Sequence, residues 1–146
     1  MKSKRLDSGM VLVFDTGDEV VSTLTRFAKD NQIAAAHFTA TGAFSDAGIG
    51  YFDWQKKDYL KNRVDEQVEV VSLTGDIALD KGEPKVHAHV VVGKKDGAAM
   101  GGHLLEAHVR PTLELVLHDS GQQLKRRFDP ESGLALIDLG GTETAK

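Results

Sequence analysis

The chain has 146 residues, 40% of them hydrophobic and 27% charged, with a net charge of −4. That length suits one domain with a real core, and the composition excludes both a disordered and a membrane-embedded chain. The absence of cysteine rules out disulfides, thiolate zinc sites and cysteine nucleophiles, and the acidic balance argues against a protein that tracks DNA phosphates.

Met1 to Asp7 is basic but leads into Gly9 without an apolar leader, and no apolar run approaches membrane-spanning length, so a cytoplasmic protein is expected. Met10-Val11-Leu12-Val13-Phe14 reads as a buried strand ending at the turn signal Asp15-Thr16-Gly17. Thr16-Gly17-Asp18-Glu19 has the form of a capping box, and Val20, Val21, Leu24, Phe27 and Ala28 follow at helical spacing up to Asn31. This is the one principal helix. Ile33 to Gly42 reads as a strand from its β-branched and aromatic residues, in spite of its alanines.

From Gly48 onward the pattern is mainly β. Ile49 to Trp54, Tyr59 to Lys61 and Gln67 to Leu79 are expected strands, with Gly75 marking a bulge or bend. Val86-His87-Ala88-His89-Val90-Val91-Val92 should be a central strand, and Ala98 to Gly102 a small, flexible connection. Thr112 to Leu117, Gln123 to Phe128 and Leu134 to Leu139 complete the strands. The expected architecture is α+β, an antiparallel β-sheet domain with one principal helix over residues 1–140 and a frayed tail over 141–146.

On a strand, His87 and His89 point to the same face and can share one ion. Gly101-Gly102 would let the backbone turn tightly and deliver His103 beside them. Three imidazoles with an open fourth position form the ligand set of a catalytic-type zinc site, and they also suit iron, copper or nickel. A cupin continues its His-x-His with a glutamate about four residues on, where this chain has Gly93-Lys94. Glu114 lies in the alternating run Thr112 to Leu117 and is either a solvated sheet position or, if that face lines the site, the general base; Glu106 is the weaker substitute. Tyr51 and Trp54 could line a ligand pocket, although single aromatics in sheets are more often core, and His37, His108 and His118 read as ordinary strand residues.

Gly75-Asp76-Ile77, Gly82 to His89, Met100-Gly101-Gly102-His103-Leu104 and Thr112-Leu113-Glu114 together resemble the plants-and-prokaryotes-conserved (PPC) family. Its members stand alone in bacteria and archaea and are joined to AT-hooks in plant nuclear proteins. The likeness extends through Ala40 to Phe44 and Gly50 to Asp53, nearly the whole chain. It implies an α+β fold, a homotrimer, and a metal site at His87, His89 and His103 that would hold zinc, with iron or nickel as substitutes, and bind or transform a small molecule. The family's usual naming also suggests association with DNA. In the plant proteins that contact belongs to a Gly-Arg-Pro core in the minor groove, and this chain's Arg110-Pro111 sits between apolar strand residues instead. Direct DNA binding is therefore not expected, and a purely structural trimerisation module would leave the matched histidines without a role.

Overall fold

The computed structural model describes residues 1–140; the expected tail, 141–146, lies outside the described residues. The chain opens on a hairpin, β1 (Lys2–Leu6) against β2 (Gly9–Phe14), whose first strand is exposed throughout and carries no alternation that would have announced it. Helix α1 (Val20–Asp30) follows. Its buried residues Val20, Leu24 and Ala28 recur every fourth position, which puts them on one face, and that face packs onto the sheet.

The expected capping box does not form. Thr16 donates its hydroxyl to the Pro111 carbonyl at 2.8 Å, and Glu19 caps the helix instead, accepting from the Val21 and Ser22 N–H groups at 3.1 and 2.7 Å. A carboxylate at that end also meets the positive pole of the helix. The same Glu19 accepts from the Ala107 N–H at 3.3 Å, which ties the start of the helix to the sheet.

The remaining strands are β3 (Ala35–Asp53), β4 (Asp58–Val64), β5 (Val68–Asp80), β6 (Glu83–Gly93), β7 (Ala99–Asp119), β8 (Lys125–Asp129) and β9 (Leu134–Asp138). All nine strands belong to one sheet with the order β1-β2-β7-β3-β5-β8-β9, while β4 pairs with β3 and β6 with both β5 and β7. Around the site the pairings close a circuit, β3 to β5 to β6 to β7 and back to β3. The α+β expectation fits, with strand far in excess of helix.

Two strands are longer than the sequence suggests. Gly42, Ser45-Asp46 and Gly48 look like interruptions, but the 19-residue β3 runs through them by register shifts against β7. The 21-residue β7 likewise begins at Ala99, so the connection expected to be flexible is paired strand. The bulge of β5 falls between Val70 and Ser72 rather than at Gly75. Gly75 is a contact point instead: a Cβ there would collide with the His87 carbonyl and the tip of the Phe38 ring.

Leu113, Leu115 and Leu117 are fully buried, and Leu12, Phe14, Phe38, Phe44, Leu73 and Ile77 join them in a single core cluster. Among the described residues, no helix is long and apolar enough to cross a membrane.

Candidate metal centre

Strand register delivers the histidines. In the β5–β6 ladder His89 lies opposite Thr74 and His87 opposite Asp76, and in the β6–β7 ladder His89 lies opposite His103. On its other side His103 faces Gly50 of β3. Gly102, just before it, sits at φ +157°, where a Cβ would stand 2.5 Å from the Gly50 carbonyl oxygen, so the close approach expected of the Gly-Gly step is made at this residue.

The three rings converge. Ring centroids are 5.2 Å apart for His87 and His89, 5.2 Å for His87 and His103, and 5.6 Å for His89 and His103. One ring nitrogen from each lies within 4.8 Å of the other two. Nδ1 of His87 is 3.1 Å from an Asp76 carboxylate oxygen, and Nδ1 of His103 is 3.4 Å from the Tyr59 hydroxyl. With those atoms engaged, Nε2 of His87 and of His103 is left to ligate, and a carboxylate behind a ligating imidazole fixes its ring and tautomer.

Charge favours the neutral, ligating form. Burial first, then the neighbouring His87, His89 and Lys85, pushes His103 down to about 4. Partial burial and then His87 also lower His89. Burial would raise the Asp76 carboxyl, but His87 and Arg126 outweigh it and hold the group below the ordinary carboxylate range. Burial raises the Tyr59 phenol, which stays protonated at neutral pH. Three imidazoles thus face one point, a nitrogen donor set that fits a divalent transition metal.

The histidines open into a cleft of about 590 Å³. Tyr51, Phe52 and Tyr59 form one wall and Leu134, Ala135 and Leu136 another. Tyr51 thus lines the cleft; Trp54 does not, and packs edge-on to Phe52 at 6.5 Å between centroids.

Within the chain the structure does not bring Glu114, the general-base candidate, to the histidines. Glu114 belongs to a separate shallow depression with Thr39, Thr41, Val71, Ser72 and Val116. His103 and Glu114 lie on one unbroken strand, separated by roughly 35 Å of backbone path. Glu106 is committed elsewhere, to Lys61 at 2.8 Å and to Arg63. Among the described residues neither Asp nor Glu lines this cleft, while Asp76 borders His87 and His89 in an adjoining depression with Thr74 and Gly75.

Asp76, Arg126 and Tyr59 are site residues that sequence reasoning missed. Asp76 appeared only as part of a family motif; its register opposite His87 was the signal that could have found it.

The other histidines stay out of the centre. His37 and His118 stack at 4.9 Å between centroids, and His108 bonds Asp46 at 3.0 Å. That hydrogen bond raises His108 above the ordinary imidazole value, and in return His108 lowers Asp46. A raised imidazole stabilises the fold fully below about pH 6.5 and loses that contribution as pH climbs through its folded value; a lowered carboxyl loses its share as pH falls through its own. The gap in melting temperature between wild type and His108→Gln should therefore peak near about pH 5 and shrink above about pH 7.5. It should be small, because His108 is 46% exposed. A gap independent of pH would remove the pair from the account.

Residues 1–120 match the Plants and Prokaryotes Conserved (PCC) domain, the module named PPC above. The chain belongs to this family. Among solved structures, a metal-containing protein from Archaeoglobus fulgidus is 39% identical, with 91% of this chain and 94% of that chain covered and a TM-score of 0.82. A candidate DNA-binding protein from Bacteroides thetaiotaomicron superposes with a TM-score of 0.90 at 28% identity, covering 94% of this chain and 96% of its own. The bifunctional protein GlmU of Synechococcus sp. (strain JA-3-3Ab) is 32% identical over 120 residues, 80% of this chain. This PCC-domain chain spans only 18% of that larger relative.

Proposed function

We propose that this PCC-domain protein holds one divalent transition metal, zinc by preference with iron or nickel also suited, at His87, His89 and His103, and binds a small molecule in the adjoining cleft. The observation that carries the reading is the convergence of three ring nitrogens within 4.8 Å at the head of a cleft of about 590 Å³. The metal-containing relative from Archaeoglobus fulgidus supports it. A bound divalent cation would supply Lewis acidity at a position with room for an outside ligand, since a closed structural zinc site normally takes four protein ligands. The chain's own residues do the rest: Asp76 orients His87, Tyr59 supports His103, and the apolar walls exclude water from the ligand's body. Asp76, which borders His87 and His89, is already engaged by His87 and Arg126, so the reading is ligand binding first.

Elemental analysis after loading with zinc, iron or nickel should give close to one metal per chain. The cobalt-substituted protein should change its visible spectrum with azide or phosphate. A protein that stays metal-free after all three loadings sinks the reading, and bound cobalt that ignores anions makes the metal a structural pin.

We also propose a homotrimer without specific DNA affinity. Exposed Val71 and Val116 on the face around Glu114, together with Val91, give an apolar surface that assembly would cover. The net charge of −4 offers little to phosphates. Light scattering should give about three times 15.8 kDa, unchanged by an A·T-rich duplex at about 150 mM salt and at concentrations where a specific binder, Kd about 10⁻⁸ M, would be saturated. A one-chain mass overturns the trimer, and a duplex-bound mass overturns the argument from charge.

A further inference from the structure

The β8–β9 hairpin lies beyond residues 1–120, the part of the chain matched to the family, and its attachment to the sheet is slight. One parallel pair, Leu79 with Lys125, joins it to β5, helped by Leu79 N–H to the Leu124 carbonyl at 2.8 Å and Leu124 N–H to the Ala34 carbonyl at 3.2 Å. An isolated two-stranded hairpin is marginal in water. Yet from this hairpin comes Arg126, whose side chain is only 7% exposed. Its guanidinium reaches one carboxylate oxygen of Asp76 while the other oxygen faces Nδ1 of His87 at 3.1 Å. A second guanidinium nitrogen donates to the Ala135 carbonyl at 3.2 Å, and Nε is buried with no partner.

We infer that the hairpin is a working part of the metal centre, with Arg126 as the positioning residue that clamps Asp76 against His87. A lone carboxylate beside an imidazole can rotate between partners. Fixed on one side by a buried guanidinium, Asp76 presents its remaining oxygen to Nδ1 of His87 and keeps Nε2 as the ligating atom. The commitment is costly unless it does something, because a buried arginine with an unpartnered Nε has given up solvation. The hairpin also supplies Leu134, Ala135 and Leu136 to the cleft, so one element closes the pocket and sets the ligand sphere.

This inference rests on the metal reading, but its first readout does not need metal. Nitrogen NMR of histidine-labelled protein, free of metal at about pH 7.5, reports which ring nitrogen of His87 carries the proton. Wild type should show Nδ1 protonated, whereas Arg126→Gln should show mixed tautomers and Arg126→Lys a partial return. In zinc titrations Arg126→Gln and Asp76→Asn should each weaken binding by about 10- to 100-fold, the usual cost of losing a group behind a ligand. The double variant should be no weaker than Asp76→Asn alone, since both act through one carboxylate. If Arg126→Gln does not fold, Arg126→Lys and Asp76→Asn carry the same comparison. Wild-type His87 signals and zinc affinity in these variants would make Arg126 a hairpin anchor only and overturn the inference. Wild type that binds no metal sinks the metal reading, while the ring signals still decide the clamp.

Discussion

Changing His87 and His89 together to alanine should take the protein from near one metal per chain to near none after loading. The expectation is large because the two residues supply two of three ligands, and a single remaining imidazole cannot hold an ion against solvent and buffer. His103→Ala should also release metal, and it isolates the contribution of the ligand that β7 brings across the ladder from His89. The fold should survive: His87 is 40% exposed and His89 is exposed, and substitutions at such positions usually cost within about 0.5 kcal/mol. Circular dichroism and a melt on each variant separate lost metal from lost structure. A double variant that still holds an equivalent of zinc would place the ion elsewhere.

The centre was legible because its two strongest signals are local. His87-Ala88-His89 needs only the two-residue period of a strand, and Gly101-Gly102 needs only the absence of side chains. What stayed hidden depends on register. Asp76 faces His87, 11 residues away in the chain, because β5 and β6 pair at that row. Arg126 is further removed, on a hairpin that touches β5 through one pair. Glu114 shows the opposite failure. Its alternation with Leu113 and Leu115 matches the structure, but that short run does not reveal that one unbroken strand joins it to His103 and so carries Glu114 away from the site. Helix α1 was plain from its periodicity, whereas its cap was not, because Thr16 bonds to Pro111, 95 residues away in sequence. Strand β1 was missed altogether: every residue is exposed, so no apolar pattern marks it.

Phe38→Ala should destabilise the protein by about 3–5 kcal/mol, a large part of the 5–15 kcal/mol that holds a typical domain together. Phe38 is 1% exposed within the main cluster, on β3, which pairs with both β5 and β7 there. Its ring tip reaches the space above Gly75, where even one added carbon would collide. Gly75 precedes Asp76 and also meets the His87 carbonyl, so this contact sets how closely β5 and β6 approach in the row that orients the metal ligand. Removing the ring opens a cavity beneath that row, and filling the space from the other side strains it. Gly75→Ala should therefore destabilise as well, by about 1–3 kcal/mol, through overpacking rather than loss of contact. Denaturant unfolding measures both, with an unchanged slope confirming that the folded state and not the unfolded chain has altered. For a chain of this length, Phe38→Ala corresponds to a fall of roughly 10–16 °C in Tm. If Phe38→Ala instead costs under about 1 kcal/mol, within the range of surface changes and mild core swaps, the ring is not what holds the two strands at this spacing.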